Sequence, residues 1–235
     1  SFSRIARFDA ESIISTIQHR LKNQGIGKVL IWIMRSLRLD WLIANLINVG
    51  VAIQDFRLST FIDPKIEVKQ IDAFDPSFDA LWEKVSPHFH VEELSESHFF
   101  NWKYVRQPHM DYQIFTASKN GELCGYVILR KTWSPESNSG IIADLFVSPE
   151  DKTTINTLLA STISNFKQQK VKYIKAASTI DVYNDTLLSL GFKKEKEMQP
   201  MFHSRVRLPA IDLALAPGAW FLGRSDHDWD QFPYG

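Results

Sequence analysis

Between Ile141 and Gly191 the apolar residues change their spacing repeatedly, and this alternation restricts the fold more than any other feature. Ile141-Ile142-Ala143-Asp144-Leu145-Phe146-Val147 is a nearly continuous apolar run closed by Pro149, which suits a buried strand. From Asp151 the apolar positions fall at helical spacing, with Ile155, Leu158, Leu159, Ile163 and Phe166 on one face. Val171 to Ala177 is again a strand, and Asp181 to Leu190 a short helix with Asp181 as cap and Gly191 as stop. Strand, helix, strand in succession demands a right-handed crossover and hence a partly parallel sheet.

Upstream, Ile66-Glu67-Val68-Lys69-Gln70-Ile71 alternates apolar and polar as a half-buried strand does. Phe78 to Val85 and Ser95 to Val105 read as helices, and Asp111 to Ser118 as a strand. The dipeptide Asn120-Gly121 turns that strand into its partner, Leu123 to Trp133. Phe192 to Val206 is extended. The pattern gives an α/β (α+β) fold: a mixed central sheet flanked by helices, preceded by an N-terminal helical segment.

That segment begins with a predicted helix from Asp9 to Asn23. The Leu-, Ile- and Trp-rich stretch Val29 to Ile53 follows, interrupted by Arg35, Arg38 and Asp40. No uninterrupted apolar run approaches the roughly 20 residues a membrane span needs. The stretch reads as a buried helical hairpin or a docking surface, and residues 29–53 are the expected contact for a homo-oligomer or an upstream domain. The division expected along the chain is 1–62 as helical segment or connector, 63–207 as the α/β domain, and 208–235 as an aromatic and acidic strap.

Composition removes several classes. Lys plus Arg and Asp plus Glu both number 27, so no global field draws the chain to nucleic acid. The single cysteine, Cys124, rules out an intramolecular disulfide and suits a reducing cytoplasm. Cys124 lies inside an apolar strand pattern, where a small core residue is expected. No secretory signal is visible. The His88-x-His90 spacing has no companion carboxylate or cysteine spacing, so no metal site is expected.

Three short stretches carry a resemblance. Asn120-Gly121-Glu122-Leu123-Cys124-Gly125, Leu145-Phe146-Val147-Ser148-Pro149-Glu150 and Leu187-Leu188-Ser189-Leu190-Gly191-Phe192, in this order of elements, resemble the GNAT superfamily of N-acyltransferases. The tail around Trp220 to Asp230 resembles the end of bacterial tandem-GNAT proteins linked to surface polysaccharide synthesis. In this family the two parallel strands here ending at Val147 and Ala177 splay apart. The pantetheine arm of acetyl-CoA, or another acyl-CoA, inserts between them as cosubstrate. The resemblance implies Phe146 and Val147 as the backbone that holds this arm. It also places the diphosphate at the helix start formed by Lys152, Thr153 and Thr154, where free N–H groups and the dipole favour anions. The matching loop Glu150-Asp151-Lys152-Thr153-Thr154-Ile155 lacks the family's glycines and carries two acids.

The implied reaction is direct attack of a small amine, such as an amino sugar, on the thioester. Asp144 interrupts an apolar strand, where burial raises a carboxylate's pKa unless it is paired, and it is the expected base or amine anchor. The family's tyrosine position is Leu187 here. Tyr183, one turn earlier on the same face, is the expected general acid. His90, Trp102 and Arg106 are the expected acceptor-pocket residues, with Tyr104 beside Trp102 on the same predicted helix. A rival reading is a catalytically degenerate GNAT-shaped binding or docking module. A third is an aminoacyl transferase using charged tRNA, which the neutral charge disfavours.

Overall fold

The computed structural model of the chain describes residues 1–7, 14, 25–89, 96–132, 138–195 and 221–224. They form a mixed α/β fold around a seven-stranded sheet flanked by helices. The strands are β1 (Phe2–Ile5), β2 (Ile66–Ile71), β3 (Tyr112–Lys119), β4 (Glu122–Lys131), β5 (Ser139–Val147), β6 (Tyr173–Ala176) and β7 (Lys193–Lys194). Their spatial order is β2-β3-β4-β5-β6-β1-β7. The helices are α1 (Gly25–Ser36), α2 (Leu39–Phe56), α3 (Ser77–Val85), α4 (Ser97–Phe100, continued by a π-helical turn over Asn101–Val105), α5 (Lys152–Gln168) and α6 (Asp181–Ser189).

Local chemistry explains the connections. Asn120 and Gly121 both have positive φ, 54° and 83°, which gives the two-residue turn whose twist suits a hairpin. One residue past this turn the register slips: Ala117 faces Gly125 while Ser118 faces Leu123, leaving Cys124 as the extra residue of a bulge. The expected core position for Cys124 is therefore corrected; the bulge leaves it half-buried. Gly191, at φ 87°, closes α6: Phe192 N–H donates to Leu187 O at 3.0 Å and Gly191 N–H to Leu188 O at 3.0 Å. Ile180, not Asp181, is the N-cap residue of that helix.

The sheet has two unlike faces. Val127, Leu129, Leu145 and Val147 pack with Ile155, Leu158, Leu159 and Phe166 of α5 into an aliphatic layer. Tyr126, Ile128 and Phe146 pack with Phe74, Phe78, Phe100 and Tyr104 into an aromatic one. The rings of that layer meet at varied angles, edge-on between Phe74 and Phe78 at 4.8 Å, stacked between Tyr126 and Phe146 at 5.6 Å and tilted between Phe74 and Phe100 at 5.0 Å.

The first strand falls within the expected helical segment 1–62, yet it belongs to the sheet. It pairs antiparallel with β6, Phe2 opposite Ala176, and with β7, Phe2 opposite Lys194. Of the predicted helix Asp9 to Asn23, only Ile14 is among the described residues, and it is helical and buried. Residues 29–53 do form the expected helical hairpin, α1 and α2; Met34, Ala44 and Val51 are buried in it, but Trp32, Leu37, Trp41, Leu42, Leu46, Val49 and Ile53 face outward. Among the described residues no helix is long and apolar enough to cross a membrane.

Arg4 ties these parts together. Its side chain is fully buried; Nε donates to Leu190 O at 2.8 Å and Nη2 to Asp55 Oδ1 at 2.6 Å. Asp55 also takes Lys167 Nζ on Oδ2 at 2.5 Å. One carboxylate thus clamps β1, the foot of the α1–α2 hairpin and α5. Removing one partner of a buried pair strands the other charge in low dielectric. Asp55→Ala is expected to lower stability by about 3–5 kcal/mol in urea unfolding, and Asp55→Asn by less.

Candidate functional site

The site lies where β5 and β6 part. These parallel strands pair only at Ser139 with Tyr173, Gly140 with Ile174 and Ile141 with Lys175. Beyond Ile141 the two diverge while β5 stays bonded to β4 on its other edge. The divergence begins at a second bulge. Leu129 faces Ile142 and Ile128 faces Asp144, so Ala143 is the extra residue. Ile142 faces the aliphatic layer, whereas Ala143 and Asp144 both turn to the aromatic one. With strict alternation Asp144 would follow Ile142 into the aliphatic side, with no polar partner. The bulge rotates it onto two tyrosines instead.

Asp144 is 7% exposed. Its Oδ2 accepts from Tyr126 Oη at 3.3 Å and from Tyr104 Oη at 3.5 Å, and Oδ1 from the Leu145 N–H at 2.8 Å. Tyr104 is one of the residues the sequence offers for an acceptor pocket; Tyr126 carries no site signal in the sequence. Phe100 and Tyr104 share the inward face of the 97–105 turn, while Trp102 and Arg106, two residues on, share the outward one. Trp102 and Arg106, expected to line an acceptor pocket, are exposed and lie outside this cluster. The cue available was the aromatic spacing Phe100, Tyr104. His90 lies outside the described residues. His88 sits at the rim, its Nε2 3.4 Å from Ser148 Oγ.

Val147 lies two residues beyond Leu145, so the polar groups of both point away from β4 and into the gap. The Tyr183 hydroxyl accepts from Val147 N–H at 3.0 Å and donates to Val147 O. Tyr183 is therefore in the gap, with its proton committed to a carbonyl. The two N–H groups that face the gap on this strand are held by the chain's own Asp144 and Tyr183.

The opposite side of the gap is closed by Phe221–Arg224. Leu222 N–H donates to Thr179 Oγ1 at 3.0 Å, and Thr179 N–H to Leu222 O at 3.3 Å. Phe221 rests on Phe89 at 4.6 Å and Phe146 at 5.4 Å between ring centroids. Gly223 passes so near β5 that a Cβ would stand 3.2 Å from Ala143 O and 3.3 Å from Asp144 Oδ1. The space left between Asp144, Tyr183, Leu187 and Leu222 is about 20 Å³, room for a single water. Near the paired end of the gap the register sets Arg130, Ile141 and Lys175 side by side. Burial, and then Arg224 and Arg130 against the opposing pull of Glu195, hold the Lys175 ammonium below its ordinary value.

The helix start departs from the expected anion site. Asp151 caps α5, its Oδ1 accepting from Thr154 N–H at 3.0 Å and its Oδ2 from Thr154 Oγ1 at 2.7 Å. Thr154, expected to face a diphosphate, is fully buried, and both its N–H and its hydroxyl are engaged by this cap. Lys152 and Thr153 remain exposed at the helix start. A carboxylate already occupies the positive end of the dipole. Among the described residues no group of three or more His, Cys, Asp or Glu side chains is placed to hold a metal ion.

No family model matches the sequence, and no curated protein matches it. Solved structures do resemble the fold. An aminoglycoside acetyltransferase from an uncultured soil metagenomic sample, solved with trehalose, shares 15% identity at a TM-score of 0.43, over 62% of this chain and 99% of that one. AAC(6′)-Iy, solved with a CoA bisubstrate analog, shares 12% at 0.40, over 60% and 99%. An integron cassette protein from the mobile metagenome of V. cholerae shares 16% at 0.40, over 66% and 100%. Identities and TM-scores this low fix neither a substrate nor a reaction.

Burial pushes the Tyr183 phenol well above its ordinary 10.0; the Val147 backbone bond opposes this and the Asp144 charge adds to it. The folded chain thus keeps this proton where the unfolded chain loses it. Stability is unaffected by Tyr183 below its unfolded value and falls as pH rises beyond it, by about 1.4 kcal/mol per pH unit. Tyr183→Phe is expected to remove that slope from urea unfolding measured on either side of pH 10.0. At neutral pH it costs about 1–3 kcal/mol by stranding the Val147 N–H and C=O.

Proposed function

We propose that the chain is an acyl-CoA-dependent N-acyltransferase domain of the GNAT type, moving an acetyl group to the amine of a small molecule, with an amino sugar as the leading acceptor class. The observation that supports this best is the divergence of β5 from β6 at a bulge that sets a buried carboxylate beside the gap. A thin chain fits between strands that have parted, and an amine has one anionic partner there, Asp144.

In this reading the amine nitrogen binds at Asp144 and attacks the thioester carbonyl carbon. The C–N bond forms, the C–S bond breaks, the thiolate leaves and takes up a proton, and the amine's surplus proton passes to Asp144. The Leu145 and Val147 N–H groups, released from Asp144 and Tyr183, face the developing oxyanion and the pantetheine amide. Tyr183 then serves first as a placeholder for the donor and second as a proton source for the thiolate. Phe146 and Val147 form the donor's wall, and Lys152 and Thr153 the remaining polar contacts at the helix start. Phe221–Arg224 must shift to admit the acceptor.

Titration calorimetry with acetyl-CoA tests the donor, and turnover with a panel of amines tests the transfer. Asp144→Asn keeps the shape and the Tyr126 contact but removes the base, and is expected to lower kcat by about 10²–10⁴-fold with the melting temperature little changed. Absence of any heat or thermal shift at millimolar acetyl-CoA would exclude this reading.

A second reading, a module of this fold that binds without transferring, is favoured by one feature: the Asp151 cap, a fixed negative charge where a diphosphate would lie. Asp151→Ser separates the two. Serine keeps the cap and removes the charge. A transferase gains acetyl-CoA affinity by about two- to fivefold, while a module that never meets the cosubstrate gains none.

A further inference from the structure

The outer face of α2 carries an apolar stripe with the spacing of a helix-pairing seam. Leu42, Leu46, Val49, Ile53 and Phe56 follow one another in steps of four, three, four and three, the alternation that keeps a stripe facing a partner helix. All five are exposed, from 48% at Leu42 to 85% at Phe56. Ala44 and Val51, on the opposite face, are buried. Sequence from Trp41 to Gln54 contains no charged residue. Nor is the hairpin a loose arm: Asp55 fixes the foot of α2 to Arg4 and Lys167.

We propose that a second copy of this chain covers this face, the two copies packing α2 against α2 about a two-fold axis. Three observations favour this occupant. The first is area. The five side chains are 48–85% exposed, and Trp32, Leu37 and Trp41 of the same hairpin are 62–69% exposed; so many large apolar side chains on one hairpin are on the scale of the roughly 800 Å² that each partner of a stable pair buries, not of the patch of a typical monomer. The second is self-complementarity. A two-fold contact sets a patch against itself, so any charge within it would meet its like; this stripe has none. The third is access. Gly50 beside the stripe has nothing within 4 Å of where a Cβ would be, so a helix can approach closely there. A lipid surface fits less well, because the cations Arg38 and Arg57 stand only at the ends of α2 and none runs alongside the stripe. The proposal is independent of the reaction proposed above.

Sedimentation equilibrium of the full chain, from low to high micromolar concentration, tests it. A dimer is expected, and Leu46→Glu with Ile53→Glu should weaken association by about a hundredfold or more. Both positions face solvent in the single chain, so the melting temperature extrapolated to low concentration should hold. Val49 lies at the middle of the stripe and meets its own mate across the axis. Val49→Cys in a Cys124→Ser background should therefore yield a disulfide-linked dimer under mild oxidation. A chain monomeric throughout the range overturns the proposal, as does a dimer indifferent to the double substitution. So does a monomer that co-sediments with vesicles of one-third phosphatidylglycerol in phosphatidylcholine and loses this with the same substitutions, which would assign the face to lipid.

Discussion

The extra residue at Ala143 is the constraint on which the site depends. A strand places successive side chains on alternate faces, and one inserted residue reverses that assignment for everything beyond it. Before the bulge Ile142 belongs to the aliphatic layer; after it Leu145 and Val147 do so again, and Asp144 has been carried across to Tyr104 and Tyr126. The same irregularity marks where β5 leaves β6. A buried carboxylate, its hydrogen-bond donors and a parting between parallel strands thus follow from one local change of register.

Because the strands part, β5 turns polar backbone groups toward a gap with no strand to answer them, and buried amides left unpaired are costly. The chain answers with side chains: Asp144 for Leu145, Tyr183 for Val147. On the far side Leu222 and Thr179 bond to each other across what would otherwise be open. A ligand entering here exchanges hydrogen bonds with the protein instead of creating them. Its net gain comes from apolar contact and from the order already present, not from the polar bonds themselves.

Much of this was legible in the residues, and what was not has physical causes. Strand and helix periods, the Asn120-Gly121 turn and the Gly191 stop are local signals, and they give the elements from β2 to α6 in order. Asp144 stood out because a charge in a seven-residue apolar run has to be accommodated. The strand Phe2–Ile5 was hidden, being too short for periodicity and paired with residues near 175. Register slips were equally invisible: they set Cys124 half outside and brought Tyr126 to Asp144. Trp102 and Arg106 drew attention as types, but the helical angle turns them outward while Tyr104 faces in. Thr154 suited an anion by composition; the Asp151 cap three residues earlier had a prior claim on it.

The place of β1 bears on how the chain comes to its final shape. It precedes every other strand of the sheet in sequence, yet its partners are β6 and β7, with Phe2 opposite Ala176 and Lys194. During synthesis a strand edge and a buried arginine must therefore wait, unpaired, for nearly the whole domain to follow. Contacts this distant in sequence slow folding and prolong the period in which an open edge is available to other chains.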